Sequence, residues 1–428
     1  MNNIDKILNI LNEEIVPAEG CTEPIALAFA AAKVTDILGK KPEKIKVFLS
    51  GNIIKNVKSV IVPNSNGLFG IEASVAMGAI AGDSKKELLV ISDVTSEQLN
   101  EVKEFLENDS IEVYQGDNDL KLYIKLEAFS GDESALVEIK HIHTNITKIE
   151  KNGKVVISQP CADGDFNSAL SDREILSVEL IYNLAKTIDL DLIYPIFKKV
   201  IDFNSTIANE GLSGKYGVNI GKTIMSNIES GFYGDDLRNR CSAFASAGSD
   251  ARMSGCALPV MTTSGSGNQG MTASLPIIKY CKEKNIDEET LIRALFISHL
   301  VTIHIKTNIG RLSAYCGAIC ASAGVSAALA YLIDGSYNVI ADSITNTLGN
   351  LSGVICDGAK ASCAMKIASG VYSAFDSTVL SINKNVLSSG DGIIGSDIEK
   401  TIKNIGTLAA SGMKETDDVI LDIMITNK

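Results

Sequence analysis

The sequence predicts an α+β protein, a mainly helical domain with a smaller α/β domain inserted after the N-terminal helices. Three observations carry this prediction. Apolar residues at helical spacing open the chain, alternating strand patterns are confined to residues 43–157, and beyond residue 158 long helical patterns run between Gly- and Ser-rich loops. The chain therefore divides into residues 1–42, two helices packing on the main domain; residues 43–157, a small α/β domain; and residues 158–428, the mainly helical domain.

Ile4, Ile7, Leu8, Leu11 and Ile15 recur at helical spacing, Asn3 is placed to cap them, and Pro17 ends the helix. A second helix begins near Pro24 and is apolar nearly all round, so it should be buried. Lys44–Leu49 and Leu88–Ser92 read as short strands. Leu99, Val102, Phe105 and Leu106 form the inner face of a helix, with Thr95 and Gln98 spaced as a capping box. Leu120, Leu122, Ile124, Leu126 and Ala128 alternate with polar residues as a half-buried strand does; Ala135, Val137 and Ile139 continue the pattern, and Asn152-Gly153 marks a hairpin turn. Past residue 158 the longest uncharged run is Met253–Ile278. The uncharged stretch Tyr315–Ile333 is long enough to span a bilayer, but its Ala, Gly, Ser and Cys content favours a buried helix.

The 428 residues are 45% hydrophobic and 21% charged, enough for a large core. A net charge of -13 repels phosphate backbones and anionic lipid, so neither nucleic acid nor a membrane is an expected partner. The opening MNNIDKILNILNEEIVP lacks the cationic leader and apolar core of a secretory signal. The expected compartment is the cytoplasm, where thiols stay reduced and clustered cysteines point to metal or catalysis.

Gly265-Ser-Gly-Asn-Gln-Gly270 matches G-x-G-x-x-G, but Pro276 should break the following helix and the next segment reads as helix where a strand is required. The other reading is a loop whose N–H groups and short polar side chains grip an anion such as a carboxylate. Gly217–Thr223 is one residue short of a phosphate loop. His141 and His143 share one side of a strand; without a third ligand, a solvated face is expected. His299 and His304 are expected to be core histidines.

The chain has nine cysteines and no Cys-x-x-Cys. Cys161, Cys241, Cys256 and Cys281 read as small packing residues. Cys316, Cys356 and Cys363 lie near glycines that permit unusual backbone angles, as converging thiolates need. Zinc, an iron–sulfur cluster with one iron left free, and plain packing all remain open on spacing alone. Cys21 precedes a helix, whose N-terminus lowers a thiol pKa, whereas Glu19 and Glu23 oppose that shift and, as carboxylates, are able to pair with an ammonium group.

Four segments, EGCTEPIALA, SAGSDARMSGCALPVMTTSGSGNQG, NIGRLSAYCGAIC and GVICDGAKASC, resemble the L-cysteine desulfidase family. That family is related to the iron–sulfur L-serine dehydratases and to proteins described as serine dehydratase alpha chain-like. The resemblance spans nearly the whole chain. It implies an oxygen-sensitive [4Fe-4S] cluster on Cys316, Cys356 and Cys363, with one iron not ligated by protein. Cys320 competes for the first position, and the motif prefers Cys316. It implies Cys21 as proton acceptor, and a substrate carboxylate held by the loop Thr263, Ser264, Gly265, Ser266, Gly267, Asn268 and Gln269. The implied reaction takes a small amino acid, L-cysteine, to hydrogen sulfide, pyruvate and ammonia by α,β-elimination through aminoacrylate. No lysine has a convincing pyridoxal phosphate (PLP) context, so PLP is not expected. L-Serine dehydration with the same cluster, and a non-catalytic iron–sulfur or amino-acid sensor, are the other readings. The sequence leaves the oligomeric state open, a homo-oligomer included.

Overall fold

The computed structural model describes residues 3–426 apart from 162–166 and 168–169. Two hydrophobic cores organise the chain, one helical and one α/β. Helix α1 (Asn3–Glu14) turns Ile7, Ile10 and Leu11 into the helical core. After strand β1 (Pro17–Glu19) the chain crosses over, and α2 (Thr22–Leu38) joins the α/β core instead. Because α2 is covered on almost every side, it carries almost no polar face.

The α/β part comprises β2 (Lys44–Leu49), α3 (Gly51–Val57), α4 (Gly70–Ala81), α5 (Ser96–Glu107), β3 (Ile111–Gln115), β4 (Tyr123–Ser130), β5 (Glu133–Lys140), β6 (Ile146–Lys151) and β7 (Lys154–Ser158). The sheet order is β3-β2-β4-β5-β6-β7, with β2 and β3 parallel and the other pairs antiparallel. The alternation of β4 buries Ile124, Leu126 and Ala128, which pair with Ile139, Val137 and Ala135 on β5. The Thr95–Gln98 capping box forms as its spacing predicts. Leu88–Ser92 is not a strand. Leu88 and Leu89 end a 3₁₀ turn (Ser84–Leu89), and Leu88, Val90 and Ile91 are buried beneath it. A short apolar run has no periodicity to separate a strand from a buried turn.

The helical part comprises α6 (Val178–Thr187), α7 (Leu190–Ser213), α8 (Ile220–Glu229), α9 (Leu237–Met253), β8 (Pro259–Met261), α10 (Gly267–Lys284), α11 (Glu288–Thr307), α12 (Gly317–Ile333), α13 (Tyr337–Asn350), α14 (Cys363–Ile382), α15 (Ile398–Thr407) and α16 (Lys414–Thr426). Helix α12 is the centre of the bundle, packed against α10, α11, α13 and α14, and its small residues allow that close approach. Among the described residues no helix is long and apolar enough to cross a membrane. Pro276 does not break its helix: α10 runs through it from Gly267 to Lys284. One lost N–H bond is tolerated there because the segment around it is buried by tertiary packing. A strand, β8, does precede the glycine loop, but it pairs antiparallel with β1 in a two-stranded ribbon, not within a βαβ unit. That ribbon, with Thr262 N–H donating to Val16 O at 2.9 Å, holds the Cys21 segment beside the entry to α10.

Candidate active site

Four helices begin around one cavity of about 90 Å³ between the two cores. Cys21 is the N-cap of α2, Ser266 of α10 and Cys316 of α12, and Cys363 is the first residue of α14. All four line the cavity with Cys356, Glu23, Asn56, Arg252, Asn268, Gln269, Lys306 and Lys366. Helix N-termini present unpaired N–H groups and partial positive charge, so the cavity favours anionic groups.

The loops that deliver the thiols are tied together. Cys316 N–H donates to Val354 O at 3.1 Å, and Cys356 N–H donates to Ala314 O at 2.6 Å. This one bridge sets Cys316 and Cys356 on neighbouring strands of backbone. Gly358 then turns the chain at φ 100°, and a Cβ there would lie 2.7 Å from Lys55 O. Asp357 pairs with Lys360 and, at 2.5 Å, with Lys366. Lys55 reaches Cys356 O at 3.2 Å and Asp417 at 2.6 Å, while Asp417 also accepts from Ala314 N–H at 3.0 Å. Cys320 is buried one turn into α12 and does not line the cavity, which separates it from Cys316.

The donor set suits a thiolate-bound cluster. Burial, and then the charge of Cys356, push the Cys316 thiol up to about 12, and burial pushes Cys363 up as well. These thiols would lose their protons to a metal, and Lys306 and Lys366 stand close enough to interact with the resulting charge. Among the described residues, no three His, Cys, Asp or Glu side chains close up around a single ion. A cluster of several irons spaces its ligands further apart.

Cys21 is 1% exposed. Burial pushes its thiol up to about 12; Arg252 pulls it back only in part, and Glu23 adds to the rise. The helix N-terminus therefore does not make it a thiolate in this state. Glu19 plays no part here: it turns toward Asn64, and burial and Asp93 raise its carboxyl to about 7. Glu23 does face the cavity. Burial raises its pKa, but His143 and Arg252 outweigh that and hold it below the ordinary value. Asn56 donates to it at 3.3 Å, and His143 Nε2 stands 3.8 Å away, an ion-pair distance.

The glycine loop splits. Ser266, Asn268 and Gln269 line the cavity, and Gln269 Oε1 has no partner. Thr263 instead bonds His299 Nδ1 at 2.8 Å, and Ser264 faces a separate small pocket with Glu14 and Arg311. Gly265 backs onto His143 and Arg311, and Gly267 onto Arg252. Burial lowers His299 to about 3, so its ring is neutral; it is a core histidine, but one with an unpartnered Nε2. His141 and His143 are neither on a strand nor solvated. Strand β5 ends at Lys140, and the connection that follows is buried against the site.

Arg252, His143, Asn56, Lys306 and Arg311 are not identified by sequence patterning. The available signal was weak: Arg252 is the last charge before the uncharged run 253–278, and Arg311 is the one charge in the loop before Cys316.

Residues 85–422 match the model of a family described as serine dehydratase alpha chain. A UPF0597 protein of Fusobacterium nucleatum is 68% identical over 98% of this chain and 99% of its own length. UPF0597 proteins of Lachnoclostridium phytofermentans and Porphyromonas gingivalis are 46% and 39% identical, over 98% and 99% of this chain and 99% and 98% of their own lengths.

Proposed function

The chain belongs to the serine dehydratase alpha chain family, and from that premise we propose that it is an iron–sulfur-dependent lyase that cleaves L-cysteine to hydrogen sulfide, pyruvate and ammonia. The observation that carries this reading is the convergence of Cys316, Cys356 and Cys363 on the cavity that also holds Cys21. Those three thiols would hold a [4Fe-4S] cluster, whose remaining iron supplies a Lewis acid for the departing β-substituent.

The chain's own residues do the rest. Glu23, kept ionised, receives the substrate ammonium. Ser266, Asn268 and Gln269, at the N-terminus of α10, offer donors to the carboxylate. Cys21 accepts the α-proton as its thiolate. Burial opposes that form, whereas Arg252 favours it, and a bound ammonium beside Glu23 would favour it further. Loss of the α-proton and departure of sulfur as hydrosulfide leave aminoacrylate. This tautomerises to an imine and takes up water, releasing pyruvate and ammonia.

The family's description favours a second reading, in which the same residues dehydrate L-serine. Pyruvate release from L-cysteine and L-serine, on anaerobically reconstituted protein with iron and sulfide counted, separates the readings. Pyruvate from serine alone overturns the cysteine assignment. No turnover of either by fully loaded protein supports a sensor. No absorption band of a lysine–PLP aldimine is expected.

A further inference from the structure

We infer that Arg252 is the anchor for the substrate's α-carboxylate and that, opposite Glu23, it makes the cavity a two-headed receptor for free α-amino acids. The inference rests on the lyase reading for the cavity's being a substrate site. Arg252 lies in the last turn of helix α9, is 3% exposed and lines the cavity. Among the described residues it forms no ion pair. Nε has no partner, Nη2 reaches Thr22 Oγ1 only at 3.4 Å, and Nη1 donates to Met253 Sδ at 3.8 Å. The Met253 sulfur is also the acceptor for Cys21 Sγ at 3.8 Å and for Asn268 Nδ2 at 3.2 Å. A thioether is a poor acceptor, so three donors around it are under-satisfied. A buried guanidinium without a carboxylate is costly, and an arriving carboxylate removes that cost with charge-assisted bonds.

Glu23 supplies the other pole. Its carboxylate senses the Arg252 charge without pairing with it, and its ion-pair contact is His143. Cys21, Thr22 and Glu23 follow one another at the start of α2; Thr22 bonds Arg252, and the Cys21 thiol feels the charges of both Arg252 and Glu23. A zwitterion bridging from Arg252 to Glu23 brings its Cα–H to Cys21. Gly267 makes room for this arrangement: a Cβ there would lie 2.3 Å from Arg252 Nε.

The test compares L-cysteine with two one-headed analogues on reconstituted holoenzyme. 3-Mercaptopropionate keeps the carboxylate, and cysteamine keeps the ammonium. Arg252→Gln should raise the L-cysteine KM about 100-fold and weaken 3-mercaptopropionate as much, while cysteamine inhibition stays within about twofold and iron content is unchanged. Arg252→Lys should fall between. Gly267→Ala keeps the arginine but displaces it, and should reproduce the Gln result, which decides the matter if Arg252→Gln does not fold. An unchanged KM, or cysteamine weakened as much as 3-mercaptopropionate, overturns the anchor and leaves the lyase reading standing. If neither amino acid is turned over but calorimetry shows L-cysteine binding lost in Arg252→Gln, the lyase reading falls and the anchor stands. If the wild-type protein binds no amino acid, both fall.

Discussion

Single residues divide the chemistry from its support. Cys356 is a ligand candidate with its backbone held by Ala314 and Lys55, so Cys356→Ser should lose iron and activity together. The Cys21 thiol bonds Met253 and packs in the same small cluster as Cys363 without being one of the three implied ligands, so Cys21→Ser should keep iron and lose about 100-fold or more in kcat. Iron content against turnover in the two variants checks both statements. Glu19 lies close in sequence but outside the site, and its effect is on stability. Its folded carboxyl titrates near 7, above its ordinary 4.5. The folded state thus binds the proton more tightly, and stability is lost as pH rises between those values. Glu19→Gln should therefore raise Tm at pH 8 and change it little at pH 4, as melting at the two pH values would show; an equal change at both would contradict it. The thiols were legible through the four resembling segments, because spacing alone left zinc, a cluster and plain packing open. Arg252 and His143 were not, because their meaning lies in a missing counter-charge and in a contact across more than a hundred residues.

Elements were legible where a local signal fixed them. The Thr95–Gln98 box and the alternation in Tyr123–Ser130 needed no tertiary information. The turn at Leu88 and the unbroken helix through Pro276 were decided by burial, which outweighs local preference. Helix α16 shows the same limit in functional form. Nothing in its sequence ties it to the thiols, yet Asp417 bonds both Ala314 N–H and Lys55, and Lys58 Nζ donates to Met424 O at 2.5 Å. The last helix is thereby latched to both loops that carry Cys316 and Cys356. Asp417→Asn leaves the buried Lys55 ammonium unpaired, a loss of about 3 kcal/mol. The expected result is faster iron loss to a chelator with helical circular dichroism preserved; iron retention at the wild-type rate would refute the latch.

At the scale of the molecule, the site belongs to neither core. Cys21, Glu23 and Asn56 come from segments built around the α/β sheet, whereas Arg252, Asn268 and the three thiols come from the helical bundle. The sheet segment and the helical segments were legible because strand and helix periodicities differ. The seam was not, because it is made of charged side chains whose partners are remote in sequence. Glu14 ties segments of the helical part together beside it. It is 4% exposed, lies 2.9 Å from Arg173 and 3.0 Å from Arg311, and so joins the first helix to the segment after β7 and to the loop before Cys316. Arg311 in turn backs Gly265 and lines the thiol cavity. Removing this one carboxylate leaves Arg311 without its ion-pair partner and weakens the pairing of Arg173, which keeps Glu13 at 2.7 Å. Breaking such buried pairs costs about 3–5 kcal/mol. If the seam works as one unit, Glu14→Gln lowers Tm and kcat/KM together, although Glu14 touches no thiol. A variant that lost stability but kept full kcat/KM would show that the Arg311 loop holds its position without the first helix, and that the helical bundle alone sets the geometry of the site.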